Sequence, residues 1–143
     1  MIYYKRLLLI DDDHDDHEFF LEALQEIDSS ITCTAFFDGE HALRQLRNNG
    51  SEVPDLIILD TNMPKLNGRQ ILAELKRIPN LKEVPVVMYS TIFSDRDNLE
   101  LANLGATHCL SKPSRFEEFR SSLKEILERK MATRHLEEEE GKQ

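Results

Sequence analysis

Two cysteines, Cys33 and Cys109, are all that the 143-residue sequence contains, which excludes a disulfide framework. No apolar run approaches the length of a membrane span. The short one near the N-terminus meets Asp11 too soon to serve as the core of a signal peptide. Basic residues are in the minority: 18 Lys and Arg stand against 27 Asp and Glu, for a formal net charge of -9. Phosphate backbones and anionic membrane surfaces select basic faces, so neither nucleic acid nor membrane is an expected partner. The reducing cytoplasm is the expected home. Internal repeats are lacking, and the one linker candidate, Asn48 to Pro54, reads as a loop. What is present, 40% hydrophobic and 31% charged residues, suits one compact domain that folds without a covalent staple.

Short apolar runs alternate with helical patterns along the whole chain. Leu7–Ile10, Ile31–Phe37, Leu56–Leu59, Val84–Tyr89 and Thr107–Leu110 read as five strands, the continuous ones suited to burial on both faces of a parallel sheet. Between them, apolar residues recur at a period near 3.6. Phe20, Ala23, Leu24 and Ile27 share one face, as do Ala42, Leu43 and Leu46, and then Ile71, Leu75 and Ile78. Leu99, Leu101, Ala102 and Leu104 form a looser stripe, and Phe116, Phe119, Leu123, Ile126 and Leu127 the clearest. Five strands alternating with five helices predict an α/β domain over residues 1–131, followed by a charged tail over 132–143. Cys33 reads as a small core residue of the second strand, and the five histidines assemble no metal site.

The chemistry gathers where the strands end. Asp11, Asp12 and Asp13 follow the first strand, Asp60 the third, Ser90 and Thr91 the fourth, and Lys112 with Pro113 the fifth. Open parallel sheets bind ligands beyond the carboxyl ends of their strands. If strands one and three are neighbours, Asp11, Asp12 and Asp60 converge, and three carboxylates in one crevice repel unless a cation sits among them. A hard divalent ion with oxygen ligands, Mg²⁺ in a cell, answers that need. Asp13 reads instead as a helix N-cap. A carboxylate beside Mg²⁺ is a nucleophile towards phosphorus, and the transferred group then needs an ammonium and a hydroxyl around it. Lys112 supplies the first and Ser90 or Thr91 the second, so the set is complete for phosphoryl transfer to Asp60. A calcium loop starting at Asp11 fails because Asp16, not glycine, holds its sixth position.

These residues resemble the receiver domain of two-component response regulators. Leu-Leu-Leu-Ile-Asp-Asp-Asp at 7–13 and Asp-Leu-Ile-Ile-Leu-Asp-Thr-Asn-Met-Pro at 55–64 carry the likeness. Lys65-Leu66-Asn67-Gly68, Val-Pro-Val-Val-Met-Tyr-Ser-Thr at 84–91, Gly105-Ala106 and Ser111-Lys112-Pro113 extend it from about Lys5 to Lys130. The resemblance implies a flavodoxin-like sheet of five parallel strands in the order 2-1-3-4-5, flanked by five helices. It implies Asp60 as phosphoacceptor, Asp12 as a direct Mg²⁺ ligand, Asp11 as its neighbour acting through water, and the backbone carbonyl of Asn62 as a further ligand. Ser90 matches the switch hydroxyl, which leaves Thr91 as its loop neighbour. Lys112 matches the ammonium that pairs with the phosphoryl group, Pro113 the proline after it, and Gly68 the glycine that opens the third helix. The family usually carries Tyr or Phe three residues before the lysine, where this chain has Cys109.

The implied activity is that of a stand-alone receiver, a phosphoacceptor switch rather than an enzyme. A histidine kinase or phosphotransfer protein would donate the group, and the phosphorylated form would change its affinity for a downstream protein. Many members form a homodimer through the fourth and fifth helices. An aspartate-nucleophile phosphohydrolase is the enzymatic rival, but Asn62 stands where its proton-donating acid belongs. A pseudo-receiver that binds partners without phosphorylation is the other, and Cys109 is what favours it.

Overall fold

The computed structural model describes residues 1–48, 52–61, 63, 66–91, 94–112 and 115–130. Strands and helices alternate strictly: β1 (Arg6–Ile10), α1 (His14–Ile27), β2 (Thr32–Phe36), α2 (Gly39–Arg47), β3 (Leu56–Asp60) and α3 (Gly68–Arg77) come first. β4 (Val86–Ser90), α4 (Asp95–Asn103), β5 (His108–Ser111) and α5 (Phe116–Leu127) follow. The five strands form one parallel sheet in the order β2-β1-β3-β4-β5. That is the order the receiver resemblance implies. The charged tail from 132 onwards lies outside the described residues.

Successive side chains of a strand point to opposite faces, so each apolar strand feeds two cores. Leu8, Ile10, Ile57, Leu59, Val86 and Met88 face α2, α3 and α4, meeting Leu43, Ile71, Leu72, Leu75 and Leu101. Leu7, Leu9, Leu56, Ile58, Val87 and Tyr89 face α1 and α5, where Phe20, Phe119, Leu123 and Leu127 cover them. Every residue of β3 and of β4 is buried. At roughly 1.5–3 kcal/mol per fully buried Val, Leu, Ile or Met, these two strands contribute heavily to cohesion.

Two expectations change at the margins of the sheet. The second strand is shorter than 31–37 and is not buried on both faces: as an edge strand it leaves Thr32 and Thr34 exposed and Cys33, Ala35 and Phe36 half-buried. Cys33 still packs beside the aromatic side of the core, and burial pushes its thiol up to about 12. The fourth helical stripe does not exist as a core face. Leu101 is buried, but Leu99 is 64% exposed, and Leu104 and Ala102 also face solvent. α4 lies over the sheet's outer part, where there is little surface to cover, so only one of its apolar residues finds the core.

Candidate functional site

Three acids reach one place because two neighbouring strands end together. In the β1–β3 register Ile10 lies opposite Leu59, so the chain leaves the sheet at Asp11 on one strand and at Asp60 on the other. The Asp11 amide donates to the Phe36 carbonyl (3.0 Å), which extends the β1–β2 ladder to the acid itself. Asp11 and Asp60 are buried and Asp12 is exposed, and one oxygen from each can be chosen so that all lie within 4.8 Å of one another. That is a hard, all-oxygen donor set open to solvent on one side, and it fits Mg²⁺ or Mn²⁺.

The electrostatics show how costly the cluster is by itself. Burial, with the charge of Asp60 adding to it, pushes the Asp11 carboxyl up to about 7 despite the Asp13 amide and Lys112 pulling the other way. Lys112 follows β5 and is fixed by its amide, which donates to the Ser90 carbonyl at 2.7 Å. Its Nζ stands 3.1 Å from Asp11 Oδ2, 2.6 Å from Asp16 Oδ2 and 3.6 Å from Asp60 Oδ1. Burial disfavours its charge, but the hydrogen bond to Asp16 and the charges of Asp11 and Asp60 outweigh that and hold the ammonium above the usual lysine range. The Tyr89 ring lies beneath it, 4.7 Å from Nζ to the centroid.

Ser90 is buried at the end of β4, on the strand beside Asp60, and Thr91 follows it in an exposed bend. Gly68 opens α3 against the back of β3. A Cβ there would stand 2.7 Å from the Asp60 carbonyl oxygen and 2.7 Å from the Thr61 Cα, so only glycine lets the helix start so close. The Asn67–Gln70 capping box fixes that start. Asn62 and Pro113 lie outside the described residues. Cys109 sits on β5 opposite Met88, away from the acids. It lines a hollow of about 290 Å³ with Asn98, Ala102, Ala106, Thr107 and His108. Burial, and then the charge of Asp97, raises its thiol above the ordinary value.

Sequence reasoning passed over three residues of this site. In the sequence Asp16 figures only as the sixth position of a calcium loop, yet it makes the shortest contact of Lys112. Its signal was its spacing: it lies one helical turn beyond Asp12, and Asp13 caps α1 by accepting from the Asp15 and Asp16 amides. Tyr89 read as core, and it is, but it also floors the lysine. His17 is buried with its Nε2 against the Asp11 carbonyl and its ring stacked on Phe37, 3.9 Å between centroids. His14 stacks on the same ring at 4.1 Å and is exposed.

Comparison with known proteins places this arrangement. The family model for the response regulator receiver domain matches residues 7–124. Response regulator Rcp1 of Synechocystis sp. is 34% identical over 112 residues, which cover 76% of this chain and 76% of that protein. Among solved structures, the phosphorylated cyanobacterial phytochrome response regulator RcpA has a TM-score of 0.76 at 33% identity, covering 86% of this chain and 91% of its own. The Mn²⁺-bound form of Rcp1 has a TM-score of 0.73 at 30% identity, covering 90% and 98%. The chain belongs to the response regulator receiver domain family.

Proposed function

We propose that this protein is a receiver that takes a phosphoryl group onto Asp60 from a histidine kinase or phosphotransfer protein. The observation that carries the reading is the convergence of Asp11, Asp12 and Asp60 with the Lys112 ammonium on one side of them. Receiver domains are signalling switches of two-component systems, not enzymes with turnover on a separate substrate. Asp11, Asp12 and Asp60 would hold Mg²⁺, with the Asn62 carbonyl as the further ligand that the family resemblance implies. The Mn²⁺-bound form of Rcp1 supports a divalent ion at such a site. When bound, the ion supplies positive charge to the phosphoryl oxygens.

The chain's own groups do the rest. An Asp60 oxygen forms the new bond to phosphorus as the donor's P–N bond breaks, the electron pair leaving with nitrogen. Lys112 faces the charge that collects on the phosphoryl oxygens, and the Ser90 hydroxyl donates to another of them. Once Asp60 is phosphorylated, Ser90 and Thr91 are drawn towards it and the β4–α4 connection moves with them. A downstream protein then reads the altered surface of α4 and β5. Among the described residues no helix is long and apolar enough to cross a membrane.

Incubation with a small phosphodonor and Mg²⁺ should add one phosphoryl group, read by intact mass. Asp60→Asn should take up none, and undiminished labelling of that variant would overturn the assignment.

A further inference from the structure

Lys112 is claimed by more acids than phosphoryl transfer requires. Of the three carboxylates around its Nζ, Asp11 and Asp60 belong to the group that can hold a metal, and Asp16 does not. Yet Asp16 has the shortest contact, 2.6 Å, while Asp60 stands at 3.6 Å, beyond hydrogen-bond length. Asp16 projects from the first turn of α1, so it draws the ammonium away from the acceptor and towards the helix. An ammonium has three hydrogens. Two are committed, to Asp16 and to Asp11. A phosphoryl oxygen on Asp60 would compete for the ammonium, and the charge-assisted bond to Asp16 opposes that transfer.

We propose that Asp16 is a positioning residue, a counter-ion latch that holds Lys112 back and competes with the phosphoryl group for it. The latch sets how fast Asp60 is phosphorylated. This inference rests on Asp60 being the acceptor. The bland alternative is an ordinary ion pair at a helix start, where an acid is favoured anyway by the helix dipole. Asp16 keeps 29% of its side chain exposed. A pair like that contributes little to stability, and losing it would leave phosphorylation unchanged.

The two accounts separate when the 143-residue protein is incubated with phosphoramidate and Mg²⁺ and scored by intact mass over time. In that reaction the P–N bond breaks as the Asp60 O–P bond forms, and ammonia leaves with the protons already on its nitrogen. Asp16→Asn should raise the apparent second-order rate constant three- to tenfold. It should lower the half-saturating concentration of beryllofluoride, which occupies the phosphoryl position, by a similar factor. Asp16→Glu, which restores the charge on a longer arm, should bring both values back towards wild type. Asp15→Asn removes the same charge from the same turn at an exposed residue, and should change either value less than twofold. If Asp16→Asn and Asp16→Ala are both no faster than wild type, or if Asp15→Asn accelerates as much, the latch is overturned. Failure of the wild type itself to take up phosphoryl would overturn the reading of Asp60, and this inference with it.

Discussion

The pocket and the outer edge of the sheet are built to opposite standards. Around Asp60 every residue of β3 is buried, the helix behind it approaches to a glycine's width, and the charged groups interlock. At the edge, α4 buries only Leu101, β5 buries only Leu110, and the surface beside Cys109 is an open depression. The same sheet thus has one region that is buried throughout and one that buries little. Densely packed regions move only between discrete arrangements, whereas an edge with few buried side chains has more room to adjust. What ties the edge down is polar: Arg69 of α3 reaches Asp97 at 2.9 Å and Glu100 at 3.3 Å on α4.

The largest effect that would sharpen the contrast is a pair of truncations. Leu59→Ala, beneath the pocket, should cost about 3 kcal/mol of unfolding free energy. Leu99→Ala on α4 should cost less than about 0.5 kcal/mol. Urea melts of the two variants give both numbers, and equal losses would show that α4 is held as firmly as β3. Hydrogen exchange should rank them likewise, with α4 amides opening well before those of β3.

Next in size is the response of the pocket to pH. The Asp11 carboxyl is raised from 3.8 to about 7, so between those values the folded protein keeps a proton that the unfolded chain has released. Stability contributed by this group is therefore full below 3.8 and is lost as pH rises to about 7. A tenfold change in proton affinity is worth about 1.4 kcal/mol, which puts the total at a few kcal/mol. Melting curves in EDTA should show this decline, Asp11→Asn should flatten it, and Mg²⁺ should offset it by favouring the ionised carboxylate. A decline that persists unchanged in Asp11→Asn would assign it to another group. Asp12→Ala should lose most of the Mg²⁺-induced rise in Tm while melting higher than wild type without metal, because one of three clustered charges is gone.

How much of this contrast the sequence reveals depends on what each region is made of. The pocket is legible because apolar runs stop abruptly at acids, and a run such as Leu56–Leu59 can hardly be anything but a buried strand. The two cores are legible from alternation alone. The edge is not. Leu99 and Leu104 have helical spacing, but spacing cannot tell a helix that covers a sheet from one that overhangs its margin. Nor does a string of acids from 11 to 16 say which one bends back: Asp13 caps, Asp12 opens to solvent and Asp16 takes the lysine, and only the turn of α1 decides among them.

The smallest expected effect is at Cys109. A thiol offers little bulk to fill space opened by Ser90, and the side chain already borders a hollow. Beryllofluoride should shift amide NMR signals at 90–97 and 112–115, and Cys109→Ala should leave that pattern nearly intact. Normal phosphoryl uptake with loss of the shifts remote from Asp60 would make Cys109 the coupling residue.

The pairing of the segment before β1 with the end of α5 has a bearing on time rather than on energy. Tyr3 donates its amide to the Leu127 carbonyl, and the Tyr4 hydroxyl donates to the Arg129 carbonyl across 125 positions of sequence. α5, made after every other described element, covers the face that β1 and α1 expose first. During synthesis Leu9, Phe20, Leu56 and Ile58 therefore wait uncovered until α5 leaves the ribosome, the kind of transient apolar surface on which chains aggregate. The delay is long but the closure is not prohibitive, because the entropy of joining distant ends grows only with the logarithm of their separation.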